Sequence, residues 1–180
     1  VHTPIEGKPE LVRRFEKKPT GKIHSHAEYA AMLASLDENI GRVLRQLDDL
    51  KLAGRTVVIL TSDNGGVDFP TAKSGNRPPT RNVPFRAGKG TLYEGGLRVP
   101  LIIRWPGRTK PGTECATQVT SQDFFPTLAD ALGQTDVPRH DGVSLLPLLK
   151  NPKASLNREA LFWHYPHYYP RMTPASAIRV

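Results

Sequence analysis

Apolar residues recur every three or four positions between Tyr29 and Leu50, which is the spacing that places them on one face of a helix. The residues on this face are Tyr29, Met32, Leu33, Leu36, Ile40, Val43, Leu44, Leu47 and Leu50. Ser25 followed by Glu28 matches a capping box at the start of a helix, and Gly54 suits the position after its end. The pattern therefore predicts a long amphipathic helix with one buried face.

Short apolar runs elsewhere have the composition of strands. The run over residues 56–60 is β-branched and aliphatic throughout, as is typical of a strand covered on both faces. Further strands are predicted over residues 101–105, 118–121, 161–164 and 177–180. Shorter helices are predicted over 10–18 and 123–132, and a turn plus a short helical piece over 141–149. Ser121 and Gly133 suit the start and the end of the second of these helices. Because a helix, a glycine and a buried strand form an αβ unit, the order of elements predicts an α/β fold containing part of a mostly parallel sheet layered with helices.

Polar residues follow the predicted buried strand at once. Asp63 and Asn64 offer side-chain oxygens, the ligand type that Ca²⁺ and Mg²⁺ prefer. In open α/β sheets ligands bind beyond the carboxyl ends of the strands, where these two residues are placed. Gly65 and Gly66 let the backbone turn sharply. Asp-Asn-Gly is also a common turn sequence, so the local pattern alone leaves a metal site and a plain chain reversal open.

Residues 69–96 lack periodicity and are rich in proline, glycine and basic residues. An irregular loop of this length inside a compact domain is usually functional or disordered. Lys89 lies in it between Gly88 and Gly90, where the backbone can approach a ligand closely. The ammonium of Lys89 suits an anion, although most loop lysines are simply solvated.

The chain has 180 residues, a formal net charge of +8, 17 prolines and 15 glycines. Its basic residues are scattered and no aromatic platform lies between them, so attraction of a small anionic substrate explains the charge as well as nucleic-acid binding does. Nucleic-acid binding comes last because no groove-reading element is present. Cys115 is the single cysteine, which excludes an intrachain disulfide. No apolar run approaches the ~18 residues of a membrane span. We therefore expect neither a nucleic-acid nor a membrane partner.

An aromatic and polar cluster lies near the carboxyl end of the chain. Its histidines and tyrosines are His164, Tyr165, His167, Tyr168 and Tyr169. Aromatic faces with hydrogen-bonding tips suit sugar recognition, so His164 and His167 are candidate substrate-binding residues; the alternative is a loop whose rings pack on the protein. Their His-x-x-His spacing also occurs in zinc sites, but no helix or third ligand supports one.

Several segments together resemble the type I, arylsulfatase-like sulfatases of the alkaline-phosphatase superfamily, and they occur in the family's order. Val57-Val-Ile-Leu-Thr-Ser-Asp-Asn-Gly65 is similar to the metal strand, and Gly88-Lys-Gly-Thr-Leu-Tyr-Glu-Gly-Gly-Leu-Arg-Val-Pro100 to the lysine loop, the name used below for residues 88–100. The other matching segments are residues 1–4 (a His-x-Pro segment), 29–41, 123–128 and 141–145. The resemblance implies an alkaline-phosphatase-like fold, in which residues 1–135 belong to the catalytic domain and residues 136–180 begin a smaller α+β C-terminal subdomain.

The resemblance also implies roles for four residues. Asp63 and Asn64 would be ligands of one divalent cation, Ca²⁺ rather than Mg²⁺. Lys89 would contact the sulfate oxygens and neutralise charge on the bridging oxygen, and His2 would contact the sulfate group. Without the resemblance, His2 would be interpreted as a surface histidine at a chain end. A fixed ammonium and imidazole stabilise the negative charge that develops when a sulfate ester is cleaved.

Two family features have no counterpart here. The family's nucleophile is a formylglycine made from the Cys or Ser of a Cys/Ser-x-Pro-x-Arg motif, whereas Cys115 is followed by Ala-Thr-Gln-Val. The amino-terminal acidic metal ligands are also absent, and the chain begins with Val1 rather than methionine. We therefore expect a carboxy-terminal portion that lacks the formylglycine-bearing amino-terminal half of the same polypeptide, and that by itself is inactive and binds Ca²⁺ poorly.

The leading functional prediction is a portion of a sulfatase, a sulfuric ester hydrolase acting on a sulfated sugar or aryl alcohol, periplasmic or secreted as the resemblance implies. A phosphoester or phosphonate hydrolase of the same superfamily is the first alternative. Such phosphatases usually hold two zinc ions with several His and Asp ligands, whereas only Asp63 and Asn64 follow the strand here. A non-catalytic relative that binds sulfated glycans is the second alternative.

Overall fold

The structure, a computed structural model, describes residues 2, 4–72, 74 and 76–180. Its helices are α1 (Pro9–Glu16), α2 (Ala27–Asp49), α3 (Glu94–Leu97), α4 (Phe124–Ala131) and α5 (Leu146–Lys150), with 3₁₀ turns at Ala53–Arg55 and Ser121–Asp123. Its strands are β1 (Val58–Thr61), β2 (Leu101–Arg104), β3 (Leu161–Tyr165) and β4 (Ala175–Arg179). Strand β1 is hydrogen-bonded to β2, and β3 to β4. The predicted helices and all but one of the predicted strands are therefore confirmed, whereas the layered parallel sheet stays a prediction.

Residues 118–121 do not form the predicted strand. The amide of Thr120 donates to Asp123 Oδ2 at 2.8 Å, so it closes a local turn instead of pairing with another strand. Thr120, rather than the predicted Ser121, is the N-cap of the 3₁₀ turn that leads into α4. At the other end of α4 the prediction is confirmed, because Gly133 takes a positive φ of 69° just after the helix.

Helix α2 begins one residue later than the capping-box pattern predicts. His26 rather than Ser25 is its N-cap, and His26 Nδ1 accepts a hydrogen bond from the amide of Tyr29 at 3.3 Å. The imidazole thus satisfies one of the free amides at the helix start, which is what the serine was expected to do.

Burial raises the pKa of Tyr29, because the charged phenolate is disfavoured away from water.

The same helix ends earlier than predicted. The amide of Leu52 donates to the carbonyl of Leu47 at 2.8 Å, and Lys51 takes the positive φ of 56°. This closure has the Schellman pattern, so a lysine occupies the left-handed position that usually favours glycine. Gly54 lies beyond it, within the 3₁₀ turn Ala53–Arg55.

The apolar face of α2 is only partly covered by the described residues. Helix α1 packs against α2. The buried apolar residues of this part of the chain are Ile5, Leu11 and Ala31. Val43 on the predicted buried face is 61% exposed, and Leu60 on β1 is 39% exposed. The predictions of a fully buried helix face and of a strand covered on both sides are therefore wrong for the described chain, because one short helix and a two-stranded sheet offer too little covering surface.

The chain divides into two compact units. The first comprises the residues up to Ile102 together with Trp163–Ala177, and the second comprises Ile103–Phe162 with Ile178–Val180. Every candidate site residue predicted from the sequence lies in the first unit. Among the described residues, no helix combines the length and the apolar character needed to cross a membrane.

The second unit is organised around a buried ion pair. The side chain of Asp123 is fully buried, and its carboxylate accepts hydrogen bonds from Arg158 Nη1 at 2.8 Å and from the amide of Val143 at 2.9 Å. Thr127 Oγ1 accepts from the amide of Leu145 at 2.8 Å, which links α4 to the start of α5. Because a buried carboxylate is tolerated only when paired and hydrogen-bonded, these contacts hold the segment 120–158 in place.

Candidate functional site

The turn after β1 carries the two predicted metal ligands. Ser62 Oγ donates to the carbonyl of Asn64 at 2.8 Å, and Asn64 Nδ2 donates to the carbonyl of Gly65 at 3.2 Å. The side chain of Asp63 is exposed and that of Asn64 is half-buried. Within the turn Asn64 donates through Nδ2, so its Oδ1 is the side-chain atom that would ligate a cation.

Two backbone hydrogen bonds hold the lysine loop against this turn. The amide of Gly65 donates to the carbonyl of Gly96 at 2.9 Å, and the amide of Lys89 donates to the carbonyl of Gly66 at 3.0 Å. The Lys89 side chain is half-buried. The structure therefore brings the segment of the predicted lysine against the turn that carries the predicted metal ligands Asp63 and Asn64.

The glycines of these segments permit a close approach of two backbones. A Cβ added to Gly65 would overlap the carbonyl oxygen of Gly95, and one added to Gly88 would overlap the carbonyl oxygen of Gly66. The added Cβ of Gly88 would also lie 2.6 Å from Asp68 Oδ1. Real Cβ atoms do not approach other atoms this closely, so these positions require glycine for reasons of space.

The side chain of Asn82 also holds the turn after β1 in place. Its Oδ1 accepts from the amide of Gly66 at 3.1 Å, and its Nδ2 donates to the carbonyls of Gly66 and Ala87, each at 3.0 Å. One side-chain amide therefore satisfies both backbone groups of Gly66 and ties them to the start of the lysine loop. Sequence reasoning missed Asn82, because nothing distinguishes it from any other loop asparagine.

The connection between β3 and β4 contributes a further element. Tyr169 and Met172 exchange backbone hydrogen bonds of 2.9 and 3.0 Å, closing a tight turn over residues 169–172 that we call the hairpin turn. Within it, Arg171 forms a bidentate ion pair with Asp68, and its guanidinium carbon lies 4.8 Å from the ring centroid of Phe69. The hairpin turn is thereby attached to the segment that follows the turn after β1.

The hairpin turn also touches the lysine loop directly. Gly90 has a φ of +84°, and a Cβ added there would overlap the ring of Tyr169. The amide of Leu92 lies 3.1 Å from Met172 Sδ, a weak acceptor. These contacts join residues far apart in the sequence and belong to no motif, so the sequence gives no local signal for them.

The donor set for a cation is incomplete within the described chain. Asp63 and Asn64 provide hard oxygens that suit Ca²⁺ or Mg²⁺. In the part of the chain that the structure describes, no group of three or more His, Cys, Asp or Glu side chains is placed to hold a metal ion. Because Ca²⁺ takes 6–8 oxygens, these two residues fit the chemistry of a calcium site but would supply only part of its ligands.

The predicted histidines occupy different surroundings. His2 is exposed, between positions outside the described residues, and its contact with a sulfate group stays a prediction. His164 lies on β3, exposed, with Nδ1 2.9 Å from Ser176 Oγ. His167 is exposed and packs edge-on against Tyr165, with ring centroids 5.4 Å apart. His164 and His167 therefore have separate partners, and their role in substrate binding also stays a prediction.

We expect Gly65→Ala to detach the lysine loop from the strand end. The new Cβ would overlap the Gly95 carbonyl oxygen, and overpacking of a close contact costs about 1–3 kcal/mol. The measurement is the free energy of unfolding from urea denaturation, together with amide hydrogen exchange of residues 88–96. Gly54→Ala is the matched control, because a Cβ there meets nothing within 4 Å. Equal behaviour of the two variants would contradict the close packing at Gly65.

Comparison with known proteins gives a consistent result. Residues 1–134 match a protein-family model described as Sulfatase. The chain is 38% identical to a sulfatase of Formosa agariphila, over 99% of the chain and 34% of that protein. It is 39% identical to the steryl-sulfatase of Mus musculus, over 80% of the chain and 23% of that protein. The chain thus spans about a quarter to a third of the length of these curated relatives.

Solved structures show the same likeness. The crystal structure of Ps i-CgsB in complex with k-i-k-neocarrahexaose superposes with a TM-score of 0.76 at 28% identity, covering 99% of this chain and 37% of that one. A protein in complex with its substrate D-glucosamine-2-N,6-O-disulfate superposes with a TM-score of 0.66 at 31% identity, covering 85% of this chain and 29% of that one.

Proposed function

Because the chain belongs to the sulfatase family, we propose that it is part of a sulfuric ester hydrolase that uses a formylglycine nucleophile and one divalent cation. The observation that carries the proposal is the docking of the lysine loop on the turn after β1, through the Gly65–Gly96 and Lys89–Gly66 hydrogen bonds. The hydrogen bonds bring the backbone segment of Lys89 against the turn of Asp63 and Asn64, which supports a shared site in which an ammonium and a cation stabilise the charge of an anionic ester.

The chain's own residues would act on the sulfate group as follows. Asp63 and Asn64 would hold one Ca²⁺, which when bound supplies Lewis-acid polarisation of a sulfate oxygen. Lys89 would donate to the sulfate oxygens and stabilise the charge that develops on the bridging oxygen. His2 would contact the sulfate group at the reacting centre. The half-buried position of Lys89 supports this role, because a fixed charge is more effective where water is partly excluded.

The remaining machinery is proposed to lie on polypeptide outside this chain. No Cys/Ser-x-Pro-x-Arg motif occurs in the sequence, and the described residues supply too few ligands for a Ca²⁺ shell. We therefore infer that a formylglycine-bearing amino-terminal half completes the site, and that the 180-residue chain by itself is inactive.

The substrate is proposed to be a sulfated saccharide. Two structural neighbours at 28% and 31% identity were solved with a neocarrahexaose and with a disulfated glucosamine, respectively. The exposed His164 and His167, close to aromatic rings of the same segment, would contact the sugar. The mature enzyme is proposed to be periplasmic or secreted.

The test compares the 180-residue chain with the polypeptide that also carries the upstream region, both supplied with Ca²⁺. We expect p-nitrophenyl sulfate turnover only from the longer polypeptide, and little turnover of p-nitrophenyl phosphate or of a phenylphosphonate ester. Preferential turnover of the phosphorus esters would replace the proposal by a phosphoester or phosphonate hydrolase. Salt-sensitive heparin binding without any turnover would indicate a non-catalytic glycan-binding protein.

A further inference from the structure

We propose that Arg171 is a positioning residue for the lysine loop: its ion pair with Asp68 holds the hairpin turn on that loop and thereby fixes Lys89. The inference deepens the proposed function and rests on it for the catalytic role of Lys89. The attachment of the hairpin turn to the lysine loop can be measured independently of enzymatic activity.

The ion pair between Arg171 and Asp68 has the geometry of a strong and specific pair. Both Nη atoms of Arg171 face the two carboxylate oxygens of Asp68, which is the planar fork geometry that makes arginine pairs strong and specific. The side chains of Arg171 and Asp68 are 26% and 16% exposed, so the pair is largely withdrawn from water. The guanidinium also lies over the Phe69 ring. A pair of this kind is costly to break on one side only, because the partner charge is left uncompensated.

Asp68 packs against the residue that precedes Lys89. Its Oδ1 lies beside the Cα of Gly88, the residue before Lys89, close enough that a Cβ there would be 2.6 Å away. A carboxylate without Arg171 at this place would attract the ammonium of Lys89 and compete with a sulfate group for it. Among the described residues Lys89 forms no ion pair. Arg171 therefore neutralises an acid that packs beside the residue preceding the lysine.

The residues that follow Lys89 pack against the hairpin turn. Gly90 is covered by the ring of Tyr169, and Leu92 contacts Met172; both partners belong to the hairpin turn that Arg171 anchors. Both neighbours of Lys89 are therefore held by packing, with Asp68 beside the preceding glycine and Tyr169 on the following one. Both packing contacts depend on the position of Arg171.

The activity test uses the polypeptide that carries the complete site. We expect Arg171→Gln to lower kcat/KM for p-nitrophenyl sulfate by about tenfold to a hundredfold, mainly through kcat, because small misplacements of a positioned group cost up to ~10²-fold. Arg14→Gln is the matched control: Arg14 is exposed and lies 5.8 Å from the Phe15 ring centroid, so it is also an arginine beside an aromatic ring. If Arg171→Gln lowers kcat/KM a hundredfold, we expect the double variant Arg171→Gln/Asp68→Asn to have a kcat/KM at least tenfold above that of Arg171→Gln, because the uncompensated carboxylate is removed.

A second readout separates this inference from the proposed function. Amide hydrogen exchange of residues 88–93 in the same polypeptide is expected to become faster in Arg171→Gln and to stay unchanged in Arg14→Gln. Unchanged exchange in Arg171→Gln would overturn the positioning role, whereas a double variant no more active than Arg171→Gln alone would show that the lost anchor, and not the freed carboxylate, causes the loss of activity. If the parent polypeptide hydrolyses no sulfate ester, the proposed function fails, and the exchange result alone decides whether Arg171 holds the loop.

Discussion

Replacing Lys89 with alanine in the complete polypeptide is expected to lower kcat for sulfate ester hydrolysis by about 10²–10³-fold, the usual cost of removing one fixed charge-stabilising donor. The backbone of Lys89 is held by the Gly66 carbonyl, so truncation of the side chain removes the ammonium while leaving the loop in place. KM is expected to change less than kcat, because the ammonium interacts most strongly with the charge that develops as the ester bond breaks.

The measurement is steady-state kinetics with p-nitrophenyl sulfate at saturating Ca²⁺. Lys22→Ala serves as the control, because Lys22 is an exposed lysine. A Lys89→Ala enzyme that keeps more than about a third of the parent kcat would show that this lysine is a solvated loop residue. Such a decrease in kcat is well below the ~10²-fold expected when an electrostatic stabiliser is removed.

The second large effect concerns stability. Arg158→Met is expected to lower the free energy of unfolding by about 3–5 kcal/mol, because it leaves the fully buried Asp123 carboxylate without its cationic partner. The amides of Thr120 and Val143 still donate to that carboxylate, but they carry no net charge to offset its desolvation. The effect is measured by urea denaturation followed by tryptophan fluorescence, since Trp105 lies in the same compact unit.

Arg139→Met provides the comparison, because Arg139 is an exposed arginine of that unit. Surface changes of this kind usually stay within ±0.5 kcal/mol. A loss below about 1 kcal/mol for Arg158→Met would mean that the pair contributes no more than an exposed salt bridge.

Regular elements were predictable wherever the chain carries a local period or a local stop signal. The three- and four-residue spacing of α2 and the β-branched run of β1 identify those elements, and Gly133 marks the end of α4. The capping residues were less predictable. His26 replaces Ser25 as the N-cap of α2, because any side-chain acceptor with suitable geometry satisfies a free amide.

The predicted site is a different case. Asp63, Asn64 and Lys89 lie in motifs, and the structure brings their segments together, while their chemical roles stay predictions. Asn82 and Arg171 belong to no motif. Arg171 meets an acid 103 positions away, and long-range pairs of this kind leave no pattern in the local sequence. The surroundings of the lysine therefore had to come from the three-dimensional arrangement.

The contact between Gly90 and Tyr169 has a consequence for redesign of this protein. Any larger residue at position 90 meets two obstacles, a left-handed backbone and an aromatic ring. A smaller residue at position 169 would relieve the second obstacle and leave the first. The side-chain sizes at positions 90 and 169 therefore constrain each other. A loop exchange between relatives would have to replace the lysine loop and the hairpin turn together.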